Sequence, residues 1–377
     1  MIRLIHTGDV HLGAPFPLLG EFGRTVRAQV RTTFVRVLAL ARDRGAAAVL
    51  VAGDLFDRHR PDVADVRFVL EEVRKLRPLP VVILPGTHDV LSPDSIYRSL
   101  QDRPDNCLLI DQDGAQTVFL ESSDLAIHAR ANRAKRGGDP PLAGLRPDPR
   151  ARHNVAMAHA SVERGDIDSD PDHDYVITQA EVQAAGMQYL ALGHWHKCAE
   201  QFPGGACVTW YCGSPEPLQF DAGEASGYAL EVVLGDQRPE VIPHRVGTYR
   251  WQEISLEAST LQHPQDVRRA LEGLADPQAI LRVRLQGALP STAAFDPEAL
   301  RDELAGRFAH LLLDAAGVRT RWEDFDPETV FPPGTIGAAF VGLAQERLRG
   351  AGEADRGLWE EVLRRGTALL AKREDVG

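Results

Sequence analysis

The chain has 377 residues, 44% of them hydrophobic, which is enough for one large domain with smaller ones attached and ordinary for a chain that folds in water. With 42 Lys and Arg against 54 Asp and Glu the net charge is −12, so a nucleic-acid partner would have to be met by a local basic patch and not by the overall field. Four scattered cysteines, Cys107, Cys198, Cys207 and Cys212, argue against a disulfide framework and a zinc knuckle, and no apolar run approaches the roughly 20 residues of a membrane span; the expectation is a cytoplasmic protein without a signal peptide.

The first half alternates short β-like runs with helical patterns. "IRLIHT" (2–7) is followed by a helix over about 24–44, "AAVLVAG" (47–53) by a helix over about 63–76, and then comes "PVVILPG" (80–86). Strand-like runs dominate after that: "CLLID" (107–111), "QTVFLE" (116–121), "LAIHARA" (125–131), "NVAMAHA" (154–160), "YLALGHWH" (189–196), "CVTWYCGS" (207–214), "GYALEVVLG" (227–235) and "RPEVIPHRV" (238–246). A chain that begins α/β and turns β-rich predicts two packed mixed β-sheets flanked by helices. Beyond about residue 248, strand patterns at 249–257, 279–287 and 310–316 alternate with helices near 264–275 and 297–309, which predicts a small α+β unit. An acidic, Pro-rich linker then leads to amphipathic helices over 335–350 and 357–374. The expected domains are 1–247, a cap at 248–318, and a linker with C-terminal helices at 319–377. Those helices are suited either to docking a partner or to folding back on their own domain.

The chemistry lies at the strand ends. "TGDVHLG" supplies Asp9 and His11, "AGDLFD" Asp54, "PGTHD" Thr87, His88 and Asp89, "MAHAS" His159, and "LGHWHK" His194 and His196. Each alone is a weak signal, because a single strand-end histidine is usually a satisfied core residue. Five such motifs in succession point to one site, since α/β sheets bind ligands beyond the carboxyl ends of their strands. Mixed imidazole and carboxylate donors suit Mn²⁺, Fe²⁺ or Zn²⁺ better than Ca²⁺ or Mg²⁺. In D-x-H and H-x-H, positions i and i+2 share a face of the pleat, so both side chains could reach one ion or two neighbouring ones. Asp54, alone in its motif, is suited to bridge two ions about 3.5–4 Å apart. The glycines at 8, 53, 86 and 193 fall where a tight turn or close backbone approach is wanted.

In this order the motifs resemble the calcineurin-like metallophosphoesterases, whose pattern reads D-x-H, G-D, G-N-H-D/E, H and G-H-x-H; the resemblance covers about residues 1–245. "HTGDVHLG", "GDLFD" and "YCGSPEPLQF" further resemble the DNA repair exonucleases of the SbcD and YhaO-like type. The resemblance implies a four-layer sandwich with two divalent ions, most readily Mn²⁺. One would be held by Asp9, His11, Asp54 and His196, the other by Asp54, His159, His194 and the residue at position 87. The family has asparagine at that last position. Here it is Thr87, whose shorter neutral hydroxyl is a poorer donor, so the expectation is a second ion held more weakly or through water. His88 would contact the phosphate or protonate the leaving oxygen, with Asp89 expected to accept its other N–H. The implied function is metal-dependent DNA exonuclease or endonuclease hydrolysis, with water as nucleophile and no covalent intermediate. The implied partners are DNA ends or single strands and an SbcC-like coiled-coil ATPase; a homodimer is left open.

His6, His128, His153, His173 and His244 fall outside the motif pattern and read as structural or exposed, and Asp57 and His59 as cleft or solvated loop. Two basic features could meet a phosphate backbone or simply be solvated: the loop carrying Arg130, Arg133, Lys135, Arg136, Arg146, Arg150 and Arg152, and a stripe of Arg24, Arg27 and Arg31. Two rival functions remain at this level. One is a phosphodiesterase or phosphatase for small molecules such as cyclic nucleotides; the other is a weakly active or non-catalytic DNA-binding subunit in which Thr87 has weakened the second metal position.

Overall fold

A computed structural model describes the chain except Gln101 and residues 136–138, 164–174, 261–263, 291–296, 322–330 and 375–377. It divides into two units, Met1–Trp251 and Gln252–Gly377. The first begins β1 (Ile2–Thr7), α1 (Phe22–Asp43), β2 (Ala48–Ala52), α2 (Val63–Lys75), β3 (Val81–Leu84), α3 (Ile96–Ser99) and β4 (Cys107–Leu109). It continues β5 (Ala115–Leu120), β6 (Leu125–Arg130), β7 (His153–His159), β8 (Ser161–Val162), β9 (Val176–Ile177), α4 (Gln179–Ala185) and β10 (Tyr189–Gly193). It closes with β11 (Ala199–Gln201), β12 (Val208–Tyr211), β13 (Tyr228–Leu234) and β14 (Glu240–Arg245).

These strands form two six-stranded mixed sheets, ordered β14-β13-β1-β2-β3-β4 and β11-β12-β10-β7-β6-β5. In the first, β1 to β4 run parallel and β13 and β14 are antiparallel additions. In the second, β6, β7, β10 and β12 are parallel and β5 and β11 antiparallel. The inner faces meet where β2 packs on β7 and β10, and every residue of "AVLVA" in β2 is buried, as a central parallel strand covered on both faces requires. Helices cover the outer faces. The apolar stripe of α1, including Val26, Val30, Phe34, Val37 and Ala41, faces β1 and β2. On the other side α4 sets Val182 and Ala185 against Leu190, Leu192 and Ala158. A capping box starts α4, with Thr178 Oγ1 accepting from the Glu181 N–H and Glu181 accepting from the Thr178 N–H, and Gly186 at φ 67° ends it.

The first unit is thus helix, sheet, sheet, helix. Its C-terminal margin is tied down by Glu216 of "GSPEPLQF", 1% exposed, which accepts from Thr33 Oγ1 of α1 at 2.5 Å and from the N–H groups of Thr248 and Tyr249 at 2.9 and 2.8 Å.

The second unit comprises β15 (Arg250–Glu257, entered from the first unit), α5 (Pro264–Glu272), β16 (Ala279–Pro290), α6 (Pro297–Glu303), β17 (His310–Arg321), α7 (Ile336–Gly350) and α8 (Glu353–Glu374). Its sheet is ordered β15-β16-β17. Leu281, Val283 and Leu285 of β16 form its core with Val267 and Leu271 of α5 and Leu300 of α6. Helices α7 and α8 share a separate cluster of Phe331, Val341, Leu348 and Leu363. Among the described residues no helix is long and apolar enough to cross a membrane, and all four cysteines are free.

Candidate metal centre

The parallel strands β1, β2, β3, β7 and β10 deliver the motif residues at their C-terminal ends; His159 is the last residue of β7, but the others do not sit on a pleat. Asp9, His11, Asp54 and His194 lie past the last strand residue with φ of 47°, 50°, 49° and 107°. The i, i+2 argument from strand geometry therefore does not apply, and the side chains are aimed by turns. Left-handed backbone at a non-glycine residue costs of order 1–3 kcal/mol and persists only where its surroundings over-determine it. Here the loops after β1 and β2 bond to each other: Asp9 N–H to Gly53 O, His11 N–H to Asp54 O and Leu12 N–H to Leu55 O, each 3.0 Å. Two glycines let the sheets close over the site. A Cβ on Gly193 would fall 1.8 Å from Ala52 O, and one on Gly53 (φ 91°) would fall 2.1 Å from His159 Nδ1.

The donors converge in three overlapping groups whose ligand atoms lie within 4.8 Å of one another: Asp9, His11 and His196; Asp9, Asp54 and His159; and His11, Asp57 and His88. Asp54 Oδ2 stands 3.7 Å from His11 Nε2 and 3.2 Å from His159 Nε2. Thr87 Oγ1 points into the same space, 3.4 Å from both Asp54 Oδ2 and His159 Nε2. His194 falls outside these groups. Its backbone N–H donates to both Asp9 oxygens at 2.9 and 3.0 Å, and its ring lies edge-on to His159, centroids 5.2 Å apart.

The site fits a cation. His159 donates from Nδ1 to the Ala52 carbonyl at 2.9 Å, and His11 Nδ1 is 3.2 Å from the Asp57 carboxylate, so the Nε2 lone pair of each ring is directed inward. His11 Nε2 is buried with no hydrogen-bond partner, an orphan that a metal would satisfy.

The calcineurin-like phosphoesterase family profile matches residues 2–198, more than half of the chain. The chain belongs to that family. Among similar proteins, the DNA double-strand break repair protein Mre11 of Methanopyrus kandleri is 28% identical over 242 residues, 58% of this chain and 50% of that protein. The uncharacterized metallophosphoesterase YhaO of Bacillus subtilis is 23% identical, covering 80% of this chain and 76% of its own. A subunit of the nuclease SbcCD of Escherichia coli is 23% identical over 75% of this chain and 85% of its own. The chain spans about half the length of the Methanopyrus relative and about three quarters of the Bacillus one.

In this phosphoesterase the electrostatics follow from burying carboxylates and imidazoles together. Burial alone would raise the Asp54 carboxyl, but the charge and hydrogen bond of His159, then the charge of His11 and the His88 N–H, hold it well below the usual range. Burial would lower His159, yet Asp54 and Asp9 push it up to about 10; His11 is likewise raised, against burial, by Asp57, Asp54 and Asp9. A proton and a divalent cation would compete for the same imidazole lone pairs.

One sequence expectation about the roles of these residues is corrected. It is that Asp89 orients His88: its fully buried carboxylate instead accepts from the Gly86 and Phe56 N–H groups at 2.7 and 3.0 Å and from Tyr97 Oη at 2.6 Å. His88 Nδ1 donates to the Asp57 carbonyl at 2.9 Å, and the His88 N–H donates to Asp54 Oδ1 at 2.8 Å. Asp89 therefore anchors the turn that carries His88, and Asp57 orients both His88 and His11. The only sequence signal for Asp57 is its place three residues after Asp54 in "GDLFD"; Tyr97 gives none.

The arginine stripe, open in the sequence between a phosphate backbone and solvent, makes its contacts within the fold. Arg31 donates twice to Asp65, at 3.0 and 2.6 Å, Arg27 donates to the carbonyls of Ala14 and Pro15, and Arg24 pairs with Glu21. In the basic loop Arg130, Arg133, Arg150 and Arg152 pair with Asp139, Asp113, Asp148 and Asp236. Lys135 and Arg146 are exposed, and Arg136 lies outside the described residues. The non-motif histidines are structural where described. His6 is bonded to Tyr189, His128 to Thr117 and Asn154, His153 to Gln188 and His244 to Glu231; His59 bonds Asp94 and Ser92, and His173 lies outside the described residues.

Proposed function

We propose that the chain is a metal-dependent DNA nuclease that hydrolyses phosphodiester bonds with two divalent ions, most readily Mn²⁺, with Fe²⁺ and Zn²⁺ as alternatives. The observation that carries this reading is the convergence of Asp9, His11, Asp54, His159 and His196, with His11 Nε2 buried and without a hydrogen-bond partner. The relatives named for DNA break repair and for a nuclease support the choice of substrate. Asp9, His11, Asp54 and His196 would hold one ion, and Asp54, His159 and Thr87, with His194 beside them, the other. Bound ions supply Lewis acidity to the phosphoryl oxygens and a nucleophile from water at neutral pH. The protein's own part is to hold these donors rigid and to aim His88. With Nδ1 donating to the Asp57 carbonyl, His88 has Nε2 left for the reacting atoms, and in the doubly protonated ring that Nε2–H would donate to the phosphate or give its proton to the leaving oxygen.

In the same reading residues 248–318 form the cap, and 319–377 the segment that docks an SbcC-like coiled-coil ATPase. The exposure of Ile336, Leu343, Leu358 and Leu369 on α7 and α8 supports docking there. The purified chain with Mn²⁺ should cleave linear single- or double-stranded DNA, and His88→Ala should lose that activity. Cleavage of small diesters without DNA cleavage would favour the small-molecule reading.

The weakly active alternative has one specific observation behind it, the hydroxyl of Thr87 in the place of an amide donor. Thr87→Asn should tighten Mn²⁺ binding about tenfold by calorimetry if the native position is a poor ligand, by analogy with the size of outer-shell effects on metal affinity. Unchanged affinity would show that the hydroxyl suffices.

A further inference from the structure

A cleft of about 280 Å³ opens beside the donor cluster, lined by His196 of that cluster and by His194 next to it. Its size is at the lower end of small-molecule sites, which suits a single nucleotide-sized group. Trp195 is among its lining residues, and its indole is held in place because Nε1 donates to Ser161 Oγ at 3.1 Å and the ring packs against Tyr211, centroids 6.2 Å apart. A fixed aromatic ring can take a base or sugar by stacking, without sequence preference. Lys197 also lines the cleft. It is exposed, directly follows the metal-donor His196, and makes no ion pair or side-chain hydrogen bond with any described residue. That sets it apart from the arginines of α1 and of the basic loop, nearly all of which are held by carboxylates or carbonyls.

Gln219 and Asp221 complete the lining, and Gln219 Nε2 approaches His196 Nδ1 at 3.4 Å. One cation with one carboxylate suits a singly charged internal phosphodiester, whose sugar or base donors can bond to Asp221. A doubly charged terminal phosphate would be repelled by that carboxylate.

We infer that this cleft is the subsite for the nucleotide flanking the scissile bond, with Lys197 on its non-scissile phosphodiester. It follows that the enzyme favours polynucleotides over isolated diesters. The inference rests on the nuclease reading and names what that site selects.

The test uses the full chain and two probes, a fluorescein-labelled oligothymidylate and bis(p-nitrophenyl) phosphate. In Lys197→Gln, oligothymidylate binding to EDTA-treated protein, read by anisotropy, should weaken about five- to tenfold, and the slope of log affinity against log salt should become shallower by about 0.7, the loss of one phosphate contact on a single strand. With Mn²⁺, the ratio of kcat/KM for the oligonucleotide to that for the small diester should fall by a similar factor, and Lys197→Arg should restore most of it. If wild type cleaves the oligonucleotide and the Gln variant keeps both the ratio and the salt slope, the subsite is overturned and the nuclease reading stands. If wild type hydrolyses the small diester but neither binds nor cleaves the oligonucleotide, both are overturned.

Discussion

At the ends of β1, β2, β7 and β10, Asp9, His11, Asp54, His159 and His196 converge with a buried ring nitrogen left without a hydrogen bond, whereas on α1 and around the loop after β6 the arginines are mostly consumed by neighbours. Both sets stand out in the sequence as clusters of chemistry-bearing residues. The first is concave and buried, so each donor competes for the same small volume and an added cation lowers the energy of all of them. The second is spread over a surface where each guanidinium can find its own carboxylate or carbonyl. A ligand site is thus marked less by charge density than by donors that the fold leaves unsatisfied.

That contrast can be broken or sharpened by substitution. The largest effect is expected for Asp54→Asn, which removes the carboxylate facing His11, His159 and Thr87. Hydrolysis should fall by about three orders of magnitude, equivalent to several kcal/mol of lost charge stabilisation, and calorimetry should show Mn²⁺ binding lost or greatly weakened. Full metal binding in this variant would remove the basis for treating the cluster as a metal centre.

Asp89→Ala should act on folding. It strands the Phe56 and Gly86 N–H groups and Tyr97 Oη, at about 1–3 kcal/mol for each unsatisfied buried donor, so urea denaturation should report a loss of about 3–5 kcal/mol. Lost hydrolysis at unchanged stability would return Asp89 to a catalytic role.

A pH effect of smaller size is expected from His6, fully buried against Tyr189 and lowered by burial from 6.5 to about 3. Because the folded value lies below the unfolded one, the folded chain keeps the ring neutral while the unfolded chain takes up a proton. The stability is fully present above about pH 6.5 and is lost as the pH falls toward 3. Denaturation at about pH 6.5 and 4.5 should differ by roughly 2 kcal/mol more in wild type than in His6→Gln.

Smallest is Arg31→Gln. With Asp65 left 3% exposed and short of the two N–H groups that meet its Oδ1, stability should drop by about 1–2 kcal/mol, while the salt dependence of oligonucleotide binding stays that of wild type. A shallower salt slope would place Arg31 on the DNA after all and blur the contrast.

Much of the fold was legible because its elements are locally encoded. β1 spans Ile2–Thr7 as its apolar run indicates, and α1 and α2 follow their 3.6-residue apolar spacing to within a few residues. Short pieces such as α3, β8, β9 and β11 escape notice, since two to four residues carry no period. "YLALGHWH" reads as one strand, yet β10 stops at Gly193 and the chain turns at His194, φ 107°. Apolar patterning reports burial and not backbone dihedrals, so the turn that separates His194 from His196 is invisible to it.

By itself the sequence determined which residue types stand at which strand ends, because hydrophobic periodicity and glycine placement are local properties of the chain. Only the tertiary structure decided how those residues are used. Asp57 serves His11 and His88 while Asp89 serves the turn, and Arg31 is held by Asp65 while Lys197 is left to face the cleft. The physical reason is that a polar group's role depends on which partners reach it first. In a buried site those partners come from strands far apart in the chain, as with His159 and the carbonyl of Ala52, 107 positions away.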